Sequence, residues 1–203
     1  YNYYGDKRTI EKIYPTVEKY LTYLKTREDS TGLVTYGIGD WVFYKTQTPT
    51  AYTSSCFYYL DYALMSRFAE LTGRDSDKAR YAQLAERTAE AFNRTYWNEQ
   101  TGGYAANNQA ANSFALFLGI VDETRIPRVV KNLADDGEKH DYHLTTGNLC
   151  TKYLMEMLTR YGHAETAYRI ATQTTYPSWG YMLQNGATTL WERWEYATGD
   201  EMN

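Results

Sequence analysis

The residues best suited to chemistry in this chain lie near its end, in Gly186-Ala187-Thr188-Thr189-Leu190-Trp191-Glu192-Arg193-Trp194-Glu195. A glutamate stands between two tryptophans, behind a small and flexible Gly-Ala-Thr-Thr lead. Tryptophan walls lower the local polarity, and a carboxylate held among them can be tuned for proton transfer. Flat apolar rings also suit the C–H faces of sugars. A second aromatic loop, Tyr176-Pro177-Ser178-Trp179-Gly180-Tyr181, comes just before. The pattern points to a sugar-cleaving site with Glu192 as its basic carboxylate. The bland alternative is an exposed glutamate between two core tryptophans. Glu195 is the rival acid within the motif, since a helical segment would bring both carboxylates to a similar face.

A second cluster is Gly37-Ile38-Gly39-Asp40-Trp41. An acid flanked by glycine and followed by tryptophan, on a loop leading into a helix, is placed like a pair that lines a pocket. Asp40 is suited to binding sugar hydroxyls through charge-assisted hydrogen bonds and Trp41 to stacking on a ring. The competing reading is a helix-capping Asp beside a buried Trp. His140 and His143 share a His-x-x-His spacing, but two imidazoles without a nearby acid or thiol do not make a metal site, so no metal is expected. His143 opens the loop Leu144-Thr145-Thr146-Gly147 and is expected to line a cleft. Asn93-Arg94-Thr95 fits a glycosylation acceptor, a pattern that chance produces often.

Composition narrows the classes of partner. The 203 residues suffice for one domain with a real core, and 43% hydrophobic with 23% charged residues is the balance of a folded protein. The formal net charge of -4, with scattered Lys and Arg, argues against nucleic acid or an anionic membrane as partner. No apolar run is long enough to span a bilayer. No signal peptide is visible, so cytoplasm and periplasm both stay open as compartments, and the oligomeric state is not legible. The 22 tyrosines and 5 tryptophans suit a carbohydrate cleft, but they equally suit a large helical core. Cys56 and Cys150 lie in apolar helical stretches and read as buried thiols rather than a disulfide.

The elements that must position these residues are helical. Ile10, Ile13, Val17, Tyr20, Leu21 and Leu24 recur at helical steps, with Pro15 either kinking this helix or standing in the first turn of a restarted one. Tyr81, Leu84, Ala85, Thr88, Ala89 and Phe92 draw a second amphipathic stripe. Tyr52 to Leu71, Asn112 to Leu118 and Leu149 to Leu158 read apolar nearly all round. Amphipathic helices thus alternate with buried ones, as two concentric helix layers would require. The turns Thr31-Gly32 and Thr101-Gly102 lie roughly 70 residues apart and mark a possible structural repeat, with Thr146-Gly147 a weaker third instance. Short extended pieces are expected at 33–36 and 181–183, and no sheet of any size.

The run Tyr176-Pro177-Ser178-Trp179-Gly180-Tyr181-Met182, followed by Gly-Ala-Thr-Thr-Leu-Trp-Glu-Arg-Trp, resembles the bacterial α-L-rhamnosidases of glycoside hydrolase family 78. Gly39-Asp40-Trp41, Leu144-Thr145-Thr146-Gly147 and the opening Tyr4-Gly5-Asp6 fit the same family, and the similarity runs over essentially the whole chain. The resemblance implies an all-α fold, part of an (α/α)6 toroid of the six-hairpin glycosidase kind. It implies an inverting hydrolase that releases terminal α-L-rhamnose from glycans or plant glycosides and uses no metal or other cofactor. The family's catalytic base falls on Glu192, and Asp40 and Trp41 fall on sugar-contacting positions; Trp179 and His143 are further substrate-binding candidates on the strength of their own loops.

The family's general acid belongs to an acidic, arginine-containing motif that has no match here, and family members continue past Asn203 into a His-containing segment. The expectation is therefore a single fragment, residues 1–203, of a catalytic domain whose N-terminal part and C-terminal end lie elsewhere. Such a piece holds the base without the acid and is inactive alone, because inversion needs both groups. Three alternatives share much of the pattern. They are a toroidal glycosidase or lyase for a different sugar, a non-catalytic carbohydrate-binding helical domain, and a helical scaffold with a merely aromatic core.

Overall fold

The computed structural model describes residues 1–195; the terminal Gly199-Asp200-Glu201-Met202-Asn203 lies outside the described residues. Among the described residues the chain is all-α apart from one minimal hairpin and an isolated bridge between Glu28 and Val34, as expected. Its elements are α1 (Arg8–Lys25), α2 (Thr50–Leu71), α3 (Asp75–Tyr96), β1 (Trp97–Asn98), β2 (Gly103–Tyr104), α4 (Gln109–Leu118), α5 (Ile126–Lys139), α6 (Thr151–Arg160), α7 (Ala164–Ala171) and α8 (Trp179–Gln184). No helix among the described residues is long and apolar enough to cross a membrane.

The residues fall into two compact units. The first comprises Tyr1–Gly37 and Ser54–Thr95, and so holds α1, most of α2 and nearly all of α3. Its core is ring-rich: Tyr14, Leu21, Leu24, Val34, Tyr58, Tyr62, Met65 and Tyr81 pack together. Tyrosine is used here because each hydroxyl finds a polar partner at the edge of the core. Tyr14 donates to Asp77 Oδ2 at 2.9 Å and Tyr58 to Glu28 Oε1 at 2.6 Å. In α1 the buried set is Ile10, Tyr14, Leu21 and Leu24, whereas Ile13 and Tyr20 of the expected stripe are exposed. Pro15 sits well inside α1, which runs unbroken through it, so the helix does not restart there.

The second unit comprises Ile38–Thr53 and Tyr96–Asn203, and it contains Asp40, Trp41, His140, His143, Trp179 and Glu192. Helix α4 is its centre, packing on both α5 and α6, and α6 packs on α7. The helix is buried along nearly its whole length, from Gln109 through Leu116. Asn108 caps its start by accepting from Ala111 N at 2.9 Å, and Gly119, in the left-handed region with φ 68°, closes its end. Helix α6 differs from expectation: Tyr153, Leu154, Met157 and Leu158 are buried, but Lys152, Thr159 and Arg160 are exposed, so it is amphipathic rather than buried all round. Cys56 in the first unit and Cys150 in the second are buried thiols.

The two turns matched by spacing share a construction, each within its own unit. In the first, Asp29 Oδ1 accepts from Thr31 N, Gly32 takes φ 83° and Glu28 pairs antiparallel with Val34. In the second, Asn98 Oδ1 accepts from the amides of Gln100 and Thr101, Gly102 takes φ 69°, and β1 pairs antiparallel with β2 in the register Trp97 with Tyr104. An Asx turn followed by a left-handed glycine reverses the chain both times. Thr146-Gly147 is not a third copy, since Gly147 keeps an ordinary φ. The extended piece expected at 181–183 is instead helical: Ser178 accepts from Tyr181 N and starts α8.

Candidate active site

The site is built around the segment that links α5 to α6, residues 143–147 without regular structure followed by a turn at 148–150. Gln109, fully buried on α4, grips it as a neighbouring strand would. Its Nε2 donates to His143 O at 3.0 Å and its Oε1 accepts from Thr145 N at 2.9 Å. On the other side Tyr44 N donates to Thr145 O at 3.1 Å, and Asn148 N donates to Trp41 O at 2.8 Å. The segment therefore holds the 38–48 loop by its backbone.

Asp40 completes that attachment. It is buried, and its carboxylate accepts from Gly147 N at 2.7 Å and from Cys150 N at 3.1 Å. Helix α6 has no side-chain cap hydrogen bond from its own N-cap Cys150, and the Asp40 carboxylate instead binds the amide of Cys150 and that of Gly147 in the turn before the helix. Burial pushes the Asp40 carboxyl above its ordinary range, and the amide donors of Gly147 and Cys150 pull against that shift. Asp40 thus binds amides at the entry to a helix, but that helix is remote in sequence rather than the one its own loop leads into. Its neighbour is not buried: Trp41 is 47% exposed. Gly147 is needed because a Cβ there would run into the carbonyl groups of Trp41 and Asp40.

The Glu192 segment rests on the same hub. Trp194 is buried and donates from Nε1 to Thr146 O at 2.8 Å. Its ring meets Trp179 edge-to-face at 6.0 Å. Trp191 meets Tyr181 at 6.5 Å, Tyr181 meets Tyr176 at 5.2 Å and Tyr176 meets Tyr44 at 5.0 Å, all edge-to-face. These rings brace the loop that carries the glutamate. Glu192 itself is exposed, which corrects the expectation of a carboxylate walled by Trp191 and Trp194. The physical reason is that Trp194 turns inward to satisfy Thr146 while Trp191 turns toward the tyrosines. The ring that meets the carboxylate is Trp41, whose Nε1 donates to Glu192 Oε1 at 2.9 Å. Residues 191–195 are not helical, so the shared helical face does not form, and Arg193 Nη1 donates to Glu195 Oε1 at 3.0 Å.

Beside Trp41 lies a groove of about 470 Å³ lined by Ile38, Trp41, Asn148 and Leu149. A smaller hollow of about 230 Å³, formed by Trp179, Met182, Leu183 and residues 187–190, sits against the lead into Glu192. His143 is half-buried, with Nε2 at 2.8 Å from Thr175 Oγ1 and Nδ1 at 3.0 Å from His140 O, so its ring ties the 173–176 loop to the hub. His140 Nδ1 lies 2.8 Å from Asp136 O in its own helix. Among the described residues, no group of three or more His, Cys, Asp or Glu is placed to hold a metal ion. Sequence reasoning missed Gln109, Ile38 and Asn148. Gln109 carried a readable signal, the first of three polar side chains, with Asn112 and Ser113, on a helix of otherwise apolar residues.

The whole chain, residues 1–203, matches the family described as the bacterial alpha-L-rhamnosidase 6 hairpin glycosidase domain. The chain belongs to that family. An alpha-L-rhamnosidase of Streptomyces avermitilis is 33% identical over 195 residues, covering 96% of this chain and 19% of that protein. The crystal structure of Streptomyces avermitilis alpha-L-rhamnosidase complexed with L-rhamnose superposes with a TM-score of 0.89, over 95% of this chain and 18% of the other. The alpha-L-rhamnosidase of Dictyoglumus thermophilum is 40% identical, also with a TM-score of 0.89, over 95% and 22%. The chain therefore spans about one fifth of the length of the rhamnosidases it matches. Its helices form part of a six-hairpin glycosidase fold.

Proposed function

We propose that these residues carry the base side of an inverting α-L-rhamnosidase active site, within one catalytic domain that extends beyond them. The single observation that supports this most is the bond from Trp41 to Glu192 next to an apolar groove. It ties one carboxylate oxygen and leaves Oε2 open to a water molecule.

In this reading a terminal α-L-rhamnose lies against the exposed Trp41. Glu192 Oε2 takes a proton from the water as the water oxygen bonds to the anomeric carbon, and the bond from that carbon to the leaving oxygen breaks on the opposite face. An acid from a part of the protein outside this chain protonates the leaving oxygen. Inverting pairs of carboxyl groups stand roughly 6.5–9.5 Å apart to admit the water. Asp40 places Trp41, and Trp179 and His143 shape the wall through Trp194 and Thr175.

The test is Glu192→Gln in the complete protein, with an aryl α-L-rhamnoside as substrate. Gln keeps an oxygen for Trp41 but cannot take the proton, so turnover falls about 10²–10⁴-fold with the fold intact. Proton NMR of the wild-type reaction shows β-L-rhamnose as the first anomer released. Undiminished turnover by the variant refutes the base assignment, and release of the α anomer refutes inversion. The 203-residue chain assayed alone shows no turnover; a rate comparable to that of the complete protein rules out an acid supplied from elsewhere.

A further inference from the structure

We infer that Val42 is a positioning residue, whose left-handed backbone aims the Trp41 indole at Glu192. This rests on the roles given above to Trp41 and Glu192. Val42 has φ 56°, a region where the Cβ of an L-residue crowds the following carbonyl oxygen. Glycine takes this region freely and asparagine readily, whereas a β-branched residue there is an outlier. Of the non-glycine residues with positive φ among those described, Val42 is the only β-branched one. Such a conformation persists only where its surroundings impose it, and it gathers at functional sites.

Bonds on both sides of the residue impose it. Upstream, the buried Asp40 carboxylate is held by the amides of Gly147 and Cys150, and Trp41 O accepts from Asn148 N at 2.8 Å. Downstream, Tyr44 N donates to Thr145 O at 3.1 Å, and Thr46 N donates to Tyr44 O at 2.7 Å in a tight turn centred on Lys45, φ 59°. The same linker therefore grips the loop at Trp41 and again at Tyr44, and Val42 lies between the two grips. The Trp41 carbonyl has little freedom, because it passes against Gly147 where no Cβ would fit. Returning φ at residue 42 to an ordinary value near −65° would turn the chain between the grips by about 120°, and both bonds cannot survive that rotation. Trp41 would then lose the backbone frame that carries its N–H to Glu192 Oε1. The Val42 side chain is half-buried and offers no polar group, so the positioning comes from its backbone.

The experiment is a double-mutant cycle on positions 41 and 42 of the complete protein, with kcat and KM measured on 4-nitrophenyl α-L-rhamnoside. Val42→Pro, which fixes φ near −65°, lowers kcat about five- to tenfold and leaves KM within about twofold. Trp41→Phe lowers kcat as much, and the double variant loses no more than either alone. Val42→Asn, which accepts positive φ, restores kcat to within about twofold of wild type. It also melts about 1–3 °C above Val42→Thr, the polar control that keeps the β-branch. If Val42→Pro does not fold, Val42→Gly takes its place in the cycle, since it frees φ instead of forcing it. Losses that multiply in the double variant overturn the inference, because residue 42 then acts other than through the indole. Wild-type kcat in the position-42 member of the cycle overturns it, and so does a loss in Val42→Asn equal to that member's. Val42→Asn melting no higher than Val42→Thr overturns it as well, since no strain is then held there. Undiminished turnover in Glu192→Gln counts against the base assignment alone, because the coupling of positions 41 and 42 is read from the cycle whichever group is the base. Wild-type kinetics in Trp41→Phe leave residue 42 nothing to position and overturn the inference.

Discussion

The indole N–H of Trp41 donates to Oε1 of Glu192 at 2.9 Å, joining residues 151 positions apart in the chain. Both side chains are exposed, so the bond does little for the core and its consequence is orientation. Trp41→Phe keeps an aromatic ring and removes only the donor. Hydrogen bonds to charged groups are worth about 1.5–3 kcal/mol when buried and less when exposed, so kcat should fall about five- to tenfold with little change in KM. Steady-state kinetics of the complete protein on an aryl rhamnoside measures the split. Wild-type kcat in this variant would mean that the indole N–H does not orient the carboxylate.

The elements that sequence reasoning reached are those set by local periodicity and turn chemistry. The α3 stripe is observed, with Tyr81, Ala85, Thr88 and Phe92 buried, and the two glycine turns close as their composition requires. Burial in α6 was overread because a run of apolar residues does not reveal how many sides of a helix have neighbours. The site was legible in its residue types but not in its contacts. Trp191 and Trp194 flank Glu192 in sequence, yet the indole that binds it comes from the 38–48 loop. Asp40 showed the signature of a cap, but the helix it caps begins more than a hundred residues later. Such pairings depend on where the chain returns to itself, which spacing along it does not encode.

At Gly147 the linker before α6 passes directly against the backbone of the Trp41 loop. A Cβ added there would stand 2.8 Å from the carbonyl carbon of Trp41 and 2.9 Å from Asp40 O. These are backbone atoms that cannot rotate away. Gly147→Ala should displace the Trp41 loop, and misplacement by about 1 Å can cost about 10²-fold in rate. Stability should fall by about 1–3 kcal/mol, as for other overpacked sites. Kinetics alongside thermal melting tests the pair of effects; full activity with an unchanged Tm would show that the loop yields freely.

Asp61 lies half-buried on α2 in the first unit, and burial alone raises its carboxyl from 3.8 to about 6. The folded state therefore holds this proton more tightly than the unfolded one. Stability contributed by the protonated form is complete below about pH 4 and lost as the pH climbs through 6. The full shift would be worth about 3 kcal/mol, which solvent screening of a partly exposed group reduces to about 1–2 kcal/mol. Asp61→Asn removes the penalty, so its Tm should exceed wild type at pH 8 and match it near pH 4. An advantage of equal size at both pH values would show that ionisation is not the cause.

Gln109 gives the strongest link between stability and the site. It is fully buried, donates to His143 O and accepts from Thr145 N, and so fastens the segment that holds Asp40, Trp41 and Trp194. Gln109→Leu preserves most of the volume but strands a backbone carbonyl and a backbone amide. Each orphaned group costs about 1–3 kcal/mol. Gln109→Glu keeps the acceptor for Thr145 N but replaces the donor with an oxygen facing His143 O, so an ionised Glu repels that carbonyl. Both variants should lower Tm, and both should lower kcat because the hub beneath Trp41 and Glu192 loosens. At pH 5 a protonated Glu can again donate to His143 O, so Gln109→Glu should regain stability relative to Gln109→Leu as the pH falls. Melting curves at pH 5 and pH 8 decide it: a gap between the two variants that does not change with pH would show that these two bonds do not set the stability of the hub.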